Sequence, residues 1–83
     1  MDKYYVYVLR SLKNGKRYVG STSKLPEQRL REHNTGTTTF TRQNKPFILV
    51  YDEIFDDKTL ALKRERFFKS GQGRKFLDRI IPP

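Results

Sequence analysis

The 83-residue chain contains no cysteine and no tryptophan, and His33 is its only histidine. The absence of cysteine excludes disulfide bridges and thiolate metal sites, so the fold must be held together by packing. This composition suits a reducing compartment, and we expect the cytoplasm. Unbroken apolar runs such as 47–51 are far too short to cross a bilayer, and we expect no signal peptide because no basic segment precedes a long apolar one.

Acidic residues are also scarce, because 9 Asp and Glu stand against 18 Lys and Arg and leave a formal net charge of +9. A chain of this length can form one small core, and we expect a single domain over residues 1–83. Such a positive field attracts polyanions, so nucleic acid is the expected partner. An anionic membrane surface is the alternative, but it would require an amphipathic helix with exposed bulky apolar residues.

The chain predicts an α+β domain of element order β-β-α-β-α-α, with a small, mostly antiparallel three-stranded sheet flanked by helices. Segments rich in aromatic and β-branched residues predict strands at 4–9, 17–21 and 47–55. Helical start and stop signals predict helices over 25–33, from 56–57 to about 70, and over 73–80. The threonine-rich segment 34–46 shows neither the helical nor the strand period of apolar residues, which predicts a loop.

The predicted ends of these elements follow from particular residues. Asn14-Gly15 is typical of a two-residue hairpin turn. Thr22-Ser23 is the expected N-cap of the first helix, and Asp56-Asp57 that of the second. Gly71 is expected to stop the second helix.

The predicted hairpin separates two sets of side chains. A two-residue turn pairs Ser11 with Tyr18 and Tyr7 with Thr22. Side chains alternate along strands, so Tyr7, Tyr18 and Gly20 share one face, while the valines form the better core face. In this register the two tyrosines lie four residues apart and flank Gly20, where the missing side chain leaves room for something to approach the sheet.

Three helical residues could add chemistry to this face. Arg29 and His33 lie four residues apart and share the edge of the first helix's apolar stripe. Glu65 borders the expected buried stripe of the second helix, formed by Leu60, Ala61, Phe67 and Phe68. A lone carboxylate in a basic field can ligate Mg²⁺. Phosphodiester hydrolysis needs groups of these kinds: a phenol that accepts a proton, an Arg that holds the phosphate, a metal that stabilises the leaving oxygen and a His that relays a proton.

Each of these residues also has a purely structural explanation. Hairpin aromatics usually pack, Arg29 could be a solvated cation, and His33 could interact with the helix dipole. Glu65 could form an ordinary i,i+4 ion pair with Lys69. Composition and spacing alone therefore support a basic α+β nucleic-acid-binding protein. The polar and basic residues expected to contact nucleic acid are Ser21, Thr41, Arg42, Lys69 and Arg74, although Arg42 is equally explained as a surface charge.

In order and spacing, these motifs resemble the GIY-YIG nuclease family. Tyr5-Val6-Tyr7 stands where that family has GIY and Tyr18-Val19-Gly20 where it has YIG, and the eleven-residue step between the two tyrosines matches. Arg29 is followed four residues later by His33, as the family has an Arg followed by a His or Tyr. Glu65 falls where the family has its metal-binding Glu, and 68–77 looks like the close of the small stand-alone members.

The resemblance implies a Mg²⁺- or Mn²⁺-dependent endonuclease acting on nucleic acid, with DNA as the expected substrate and no small-molecule cofactor. The chain is similar to the catalytic domains of the nucleotide-excision-repair nuclease and of homing endonucleases. The resemblance implies that Tyr18 is the general base and that Tyr7 orients the water or the phosphate. It implies that Arg29 stabilises the pentavalent phosphate, that His33 assists proton transfer and that Glu65 binds the metal.

The chain departs from the family pattern at three points. Tyr5 replaces the motif glycine, and Ser21 stands where some members, including the repair-nuclease branch, have a Lys that could lower a tyrosine pKa. The family often has a C-terminal Asn that helps to position the site, whereas no Asn follows Asn44 here. The alternative is therefore a non-catalytic nucleic-acid-binding or adaptor protein that keeps the fold. A third alternative is a module that contacts a partner protein through its basic helix.

Overall fold

A computed structural model of the chain describes residues 2–36 and 38–82. Its elements are β1 (Tyr4–Ser11), β2 (Arg17–Thr22), α1 (Pro26–Asn34), α2 (Thr39–Asn44), β3 (Phe47–Phe55), α3 (Lys58–Lys69) and α4 (Gly71–Ile80). The predicted α+β class with a three-stranded antiparallel sheet is confirmed. Within the described ranges, no helix is both long and apolar enough to cross a membrane.

The sheet has the strand order β2-β1-β3, so β1 is the central strand and pairs antiparallel with both neighbours. Its continuous aromatic and β-branched sequence suits a strand that is covered on both faces. Residues 6–9 are at most 1% exposed. The two outer strands each leave one backbone edge unpaired within the sheet.

The hairpin register differs from the prediction by two residues. Tyr7 pairs with Gly20 and Leu9 with Tyr18, so the two-residue turn predicted from Asn14-Gly15 is wrong. A shift of two residues preserves the alternation of side chains, and Tyr7, Tyr18 and Gly20 therefore still share one face. The shift also brings the two tyrosines closer than the predicted four-residue offset.

The wider turn has a local cause in the side chain of Ser11. Its buried hydroxyl accepts the backbone N–H groups of Lys13, at 3.0 Å, and Asn14, at 3.3 Å. The strand pair therefore closes with Ser11 N–H donating to the Lys16 carbonyl at 2.8 Å, which leaves four loop residues. Gly15 takes the left-handed conformation in this loop, with φ +77°.

Helix starts are partly as predicted. Asp57 caps α3, where its side chain accepts the Thr59 N–H at 2.8 Å. The expected cap at Thr22-Ser23 is wrong, because α1 begins at Pro26 with Leu25 as its N-cap. The Leu25 N–H donates to the Gln28 side chain at 3.2 Å. This is the contact of a capping box in which the side chain at the third helical position accepts from the N-cap backbone, and it fixes this end of α1.

The junction of α3 and α4 is tighter than predicted. Ser70 ends α3 and caps α4, and its hydroxyl accepts the Gly73 N–H at 3.2 Å. Gly71 is therefore the first residue of α4 and not the stop of α3. A Cβ on Gly73 would lie 1.8 Å from the Phe67 carbonyl oxygen, so only glycine lets α4 fold back this closely.

The segment predicted as a loop over 34–46 contains the six-residue helix α2, and Thr37 of that segment lies outside the described residues. Thr38 caps this helix by accepting the Thr41 N–H at 3.2 Å. In return, the Thr41 hydroxyl accepts the Thr38 N–H at 3.0 Å. A helix of this length is too short to show a hydrophobic period, so caps are its only sequence signal.

The core lies on both faces of the sheet. As predicted, the valines form a core face. Val6 and Val8 pack against α3 and α4, and the buried residues from those helices and the following turn are Ala61, Phe68, Leu77 and Ile81. The tyrosine face holds a second cluster under α1 and α2, formed by Tyr7, Leu9 and Phe47 with Tyr18, Leu30, Phe40 and Leu49 packed around them. Leu60, predicted to be buried, is 50% exposed.

Candidate active site

Tyr7 lies at the centre of the second cluster and is 1% exposed. Its hydroxyl lies 3.0 Å from His33 Nε2 in a buried hydrogen bond. Its ring covers Gly20, where a Cβ would lie 2.5 Å from Tyr7 Oη. The space that the sequence left open at Gly20 is therefore filled by the phenol of Tyr7 itself.

Tyr18 lies beside Tyr7 as its diagonal neighbour across β1 and β2. The two rings stack with centroids 6.2 Å apart and an interplanar angle of 27°. Tyr18 also packs against His33, at 4.5 Å, and against Phe40 of α2, at 5.8 Å. Because Tyr18 is only half-buried, it reaches from the aromatic cluster to the surface.

His33 lies inside this cluster, since it is 2% exposed and not at the solvated end of α1. Burial lowers its pKa, and the nearby Arg29 cation lowers that pKa further. The imidazole is therefore neutral at neutral pH. Its Nδ1 atom is buried and has no hydrogen-bond partner in the described part of the chain.

Arg29 lies one helical turn before His33 on α1 and pairs with Glu32. Burial raises the pKa of Tyr7 above its ordinary value, and the Arg29 guanidinium reduces this rise without cancelling it. Tyr7 is therefore a protonated phenol at neutral pH. The side chain of Arg29 is 30% exposed, so its guanidinium remains accessible to an anion.

Glu65 reaches the same place from α3, on the other face of the sheet. Its Oε1 accepts the Ser21 hydroxyl at 2.6 Å, and its Oε2 accepts the Lys69 ammonium at 2.7 Å. Burial opposes ionisation, but the hydrogen bonds from Lys69 and Ser21 outweigh it and lower the pKa of Glu65. This carboxylate lies close enough to contribute to the raised pKa of Tyr7. Glu65 is therefore both an ion-pair partner, as the structural explanation expected, and part of the cluster.

A divalent metal fits this site in one specific way. No group of three or more His, Asp or Glu side chains is arranged for metal binding within residues 2–36 and 38–82. Mg²⁺ is often held by one or two carboxylates together with waters and substrate phosphates, whereas zinc usually takes three or four protein ligands. The ionised Glu65 therefore suits Mg²⁺ or Mn²⁺ completed by the substrate. Either metal would compete with Lys69 for Oε2.

The residues predicted to contact nucleic acid separate into three groups. Thr41 is fully buried and its hydroxyl accepts the Thr38 N–H at the start of α2, so in this conformation it offers no accessible atom. Ser21 is occupied with Glu65, and Arg42 is exposed where it packs against Gly36. The remaining two, Lys69 and Arg74, line an open groove of about 510 Å³.

This groove follows the edge of β2, and the sequence predicted only part of its lining. The residues that it did not indicate include two cations, Lys16 just before the strand and Arg17 at its start, and Phe40 on the wall beside Tyr18. Phe40 is the only aromatic residue within the predicted loop 34–46. Its role depended on recognising α2, for which the reciprocal threonine caps were the only available signal.

The family model described as the GIY-YIG catalytic domain matches residues 3–76. A UPF0213 protein of Staphylococcus saprophyticus is 40% identical over 81 residues, covering 96% of each chain. A UPF0213 protein of Haloquadratum walsbyi is 40% identical over 70 residues, covering 83% of this chain and 76% of the relative.

A solved structure has the same architecture. The solution NMR structure of a UPF0213 protein from Bacillus halodurans aligns with a TM-score of 0.54 and 31% identity, covering 90% of this chain and 81% of the other. The α+β fold is therefore shared with a solved protein. The names of these relatives give a family number and state no activity.

Proposed function

The chain belongs to the GIY-YIG catalytic domain family, and from this premise we propose that it is a divalent-metal-dependent endonuclease that hydrolyses phosphodiester bonds in nucleic acid, with DNA as the expected substrate. One observation supports this proposal most strongly. Tyr18, Arg29, His33 and Glu65 come from three elements and converge on the hydroxyl end of Tyr7. Separate structural roles would not require these five residues to meet.

Proton transfer from the attacking water is the role proposed for Tyr18. It is the half-buried phenol of the pair, and it lines the groove. A neutral phenol can accept that proton only as it passes its own proton on. The neutral ring of His33, packed 4.5 Å from the Tyr18 ring centroid, keeps Nδ1 without a partner among the described residues and is the proposed acceptor.

Tyr7 is better suited to positioning than to contact with the substrate. It is protonated at neutral pH and almost completely buried. If the proton of the neutral His33 ring lies on Nε2 and is donated to Tyr7 Oη, Nδ1 is left as an acceptor. We therefore assign Tyr7 the role of fixing the orientation and tautomer of His33, which narrows the role implied by the family.

Arg29 and Glu65 complete the proposed site. The partly exposed guanidinium can hold a non-bridging oxygen of the scissile phosphate and stabilise the charge that develops there. Glu65 would hold the Mg²⁺ or Mn²⁺ ion with the substrate phosphate. When bound, this ion supplies Lewis-acid stabilisation of the leaving oxygen.

A non-catalytic nucleic-acid-binding protein is the second candidate, and one observation favours it. Both carboxylate oxygens of Glu65 already accept hydrogen bonds, one from Ser21 and one from Lys69. If the Lys69 ammonium stays on Oε2 when nucleic acid is bound, its positive charge disfavours a divalent cation at Glu65. The fold and the basic surface would then serve binding alone.

Cleavage by the Glu65→Gln variant distinguishes the two candidates. Labelled single-stranded, flapped and four-way DNA and RNA would be incubated with the parent protein in Mg²⁺, in Mn²⁺ and in EDTA. We expect metal-dependent cleavage by the parent and a loss of about 100-fold or more in Glu65→Gln, because the metal site contributes several kcal/mol to such reactions.

Asp56→Asn is the matched control for this experiment, since it removes the same charge at an exposed carboxylate that pairs with Lys3. This variant should cleave at the parental rate. If the parent cleaves none of the substrates, or if both variants cleave equally well, the nuclease proposal fails and the binding protein replaces it.

A further inference from the structure

The groove along β2 has a lining of one charge sign. Among the described residues that border it, four are cationic and none is acidic: Lys16, Arg17, Lys69 and Arg74. The unpaired edge of β2 lies between them, and within residues 2–36 and 38–82 no further strand covers this side of the sheet. The groove therefore provides a positive channel for an anionic chain.

Two of these cations have no protein partner in the described part of the chain. Arg17 pairs with Asp78 at 2.7 Å, and Lys69 pairs with Glu65 at 2.7 Å. Lys16 and Arg74 form no ion pair there and are exposed. An unpaired cation has no protein interaction to break when it binds a phosphate.

An aromatic wall lies opposite these cations. The rings of Tyr18 and Phe40 lie 5.8 Å apart and are both half-buried, so part of each remains open to the groove. Aromatic faces beside cations are the usual features of single-stranded nucleic-acid sites, where bases stack and phosphates pair. A duplex keeps its base faces stacked and cannot use such a wall.

We propose that this groove binds an unpaired nucleotide of the reacting strand, with its base stacked on Phe40 and its flanking phosphates on Lys16 and Arg74. Tyr18 belongs both to this groove and to the catalytic cluster, so a strand in the groove leads directly to the proposed general base. The substrate class is therefore nucleic acid with a single-stranded segment beside the scissile bond. This inference rests on the proposed function, because it takes the reacting strand to be nucleic acid.

The charged side of the groove is tested by binding without cleavage. Affinity for a short labelled single strand would be measured in EDTA by fluorescence anisotropy over a range of salt concentrations. The variant Lys16→Gln/Arg74→Gln should bind more weakly than the parent. Its dependence of log affinity on log salt should be shallower by about 1.4, since each phosphate contact to a single strand contributes about 0.7.

A second pair of substitutions supplies the matched control. Lys63→Gln/Lys75→Gln removes the same charge from exposed helix positions outside the groove and should keep the parental slope. Equal affinities and slopes for the two paired variants would overturn the proposal. In that case, net charge alone would explain binding.

The aromatic wall is tested with Phe40→Leu, which keeps an apolar side chain in the core. Its affinity for the base-containing strand should fall about fivefold or more, while affinity for an abasic strand of equal length stays unchanged. An equal effect on both strands, or an equal effect on a duplex, would contradict stacking on Phe40. If Phe40→Leu does not fold, the salt slopes of the two charge-pair variants still decide the proposal.

These outcomes are independent of catalysis. Cleavage by the parent, together with equal binding by the two charge-pair variants, would leave the nuclease proposal standing and reject the groove. The reverse result, groove-dependent binding without cleavage in any metal, would keep the groove and reject the nuclease.

Discussion

Gly20 is the residue on which the geometry of the site depends most directly. A β-strand normally favours residues with side chains, because glycine adds no packing and loses more entropy on folding. Here the absence of a side chain admits the Tyr7 phenol, which then reaches His33 Nε2. The last residue of the Tyr18-Val19-Gly20 motif is therefore explained by a contact inside the protein.

Replacing Gly20 with alanine should destabilise the protein by about 1–3 kcal/mol, the usual cost of overpacking a core. The new Cβ would overlap the Tyr7 hydroxyl and displace it from His33. Urea unfolding would measure this cost. Gly71→Ala is the control, because a Cβ there meets nothing within 4 Å. Equal stabilities for the two variants would show that the Tyr7 ring does not lie over Gly20.

His33 predicts a specific pH dependence of stability. Its pKa in the folded protein is below the ordinary value of 6.5, chiefly because it is buried. The unfolded chain therefore binds this proton more readily. The stabilising contribution is fully present above about pH 6.5 and is lost as pH falls through the lower folded-state pKa.

The measurement is the free energy of unfolding of the parent and of His33→Gln at several pH values between about 5 and 8. The parent should lose stability on acidification from about pH 6.5, and the variant should lack this component. Because His33 is the only histidine, its NMR titration can be assigned without ambiguity. An imidazole that titrates at or above its ordinary pKa would contradict the buried, neutral state.

At the scale of elements, the junction between α3 and α4 makes the next prediction. Ser70→Ala removes the hydroxyl that accepts the Gly73 N–H and should cost about 1 kcal/mol of stability. Ser23→Ala, at an exposed loop position, should cost much less. Thermal or urea unfolding of both variants is the check. Equal stabilities would mean that Ser70 does not fix the start of α4.

The elements also show what the sequence can predict. Continuous aromatic and β-branched runs identified all three strands. Helical start and stop signals identified α1, α3 and α4, although the cap expected for α1 and the stop expected for α3 were wrong. The helix α2 was missed because six residues carry no measurable period. The hairpin register was missed because a buried serine hydroxyl competes for the turn amides, and this depends on tertiary burial.

The sequence predicted which residues form the candidate site better than it predicted how deeply they are buried. Alternation placed Tyr7 and Tyr18 on one face, and the four-residue spacing placed Arg29 with His33. Sequence could not show that α1 and α2 cover that face, so His33 was expected at an edge and not in a core. The bond between Ser21 and Glu65 links positions 44 apart in the chain, and no local pattern reports such a contact.

For the whole molecule, the central feature is that the site joins the two faces of the sheet. Tyr7, Tyr18, Arg29 and His33 lie on the tyrosine face of the sheet, whereas Glu65 extends from α3 on the valine face. Tyr18, a member of this site, also lines the basic groove along β2. A net charge of +9 attracts polyanions. In the proposed function, this field concentrates nucleic acid around the protein and the local arrangement of the site cleaves it.

The most direct test of this account is the single-turnover cleavage rate of Tyr18→Phe, measured with Mg²⁺ or Mn²⁺ beside its affinity for the same strand in EDTA. Loss of a general base should slow cleavage by about 10²–10⁴-fold. Affinity should stay within about twofold, because the ring and its packing remain. Tyr51→Phe, whose ring packs on Phe68 in the valine-face cluster, should cleave at the parental rate. Cleavage by Tyr18→Phe at the parental rate would contradict the account.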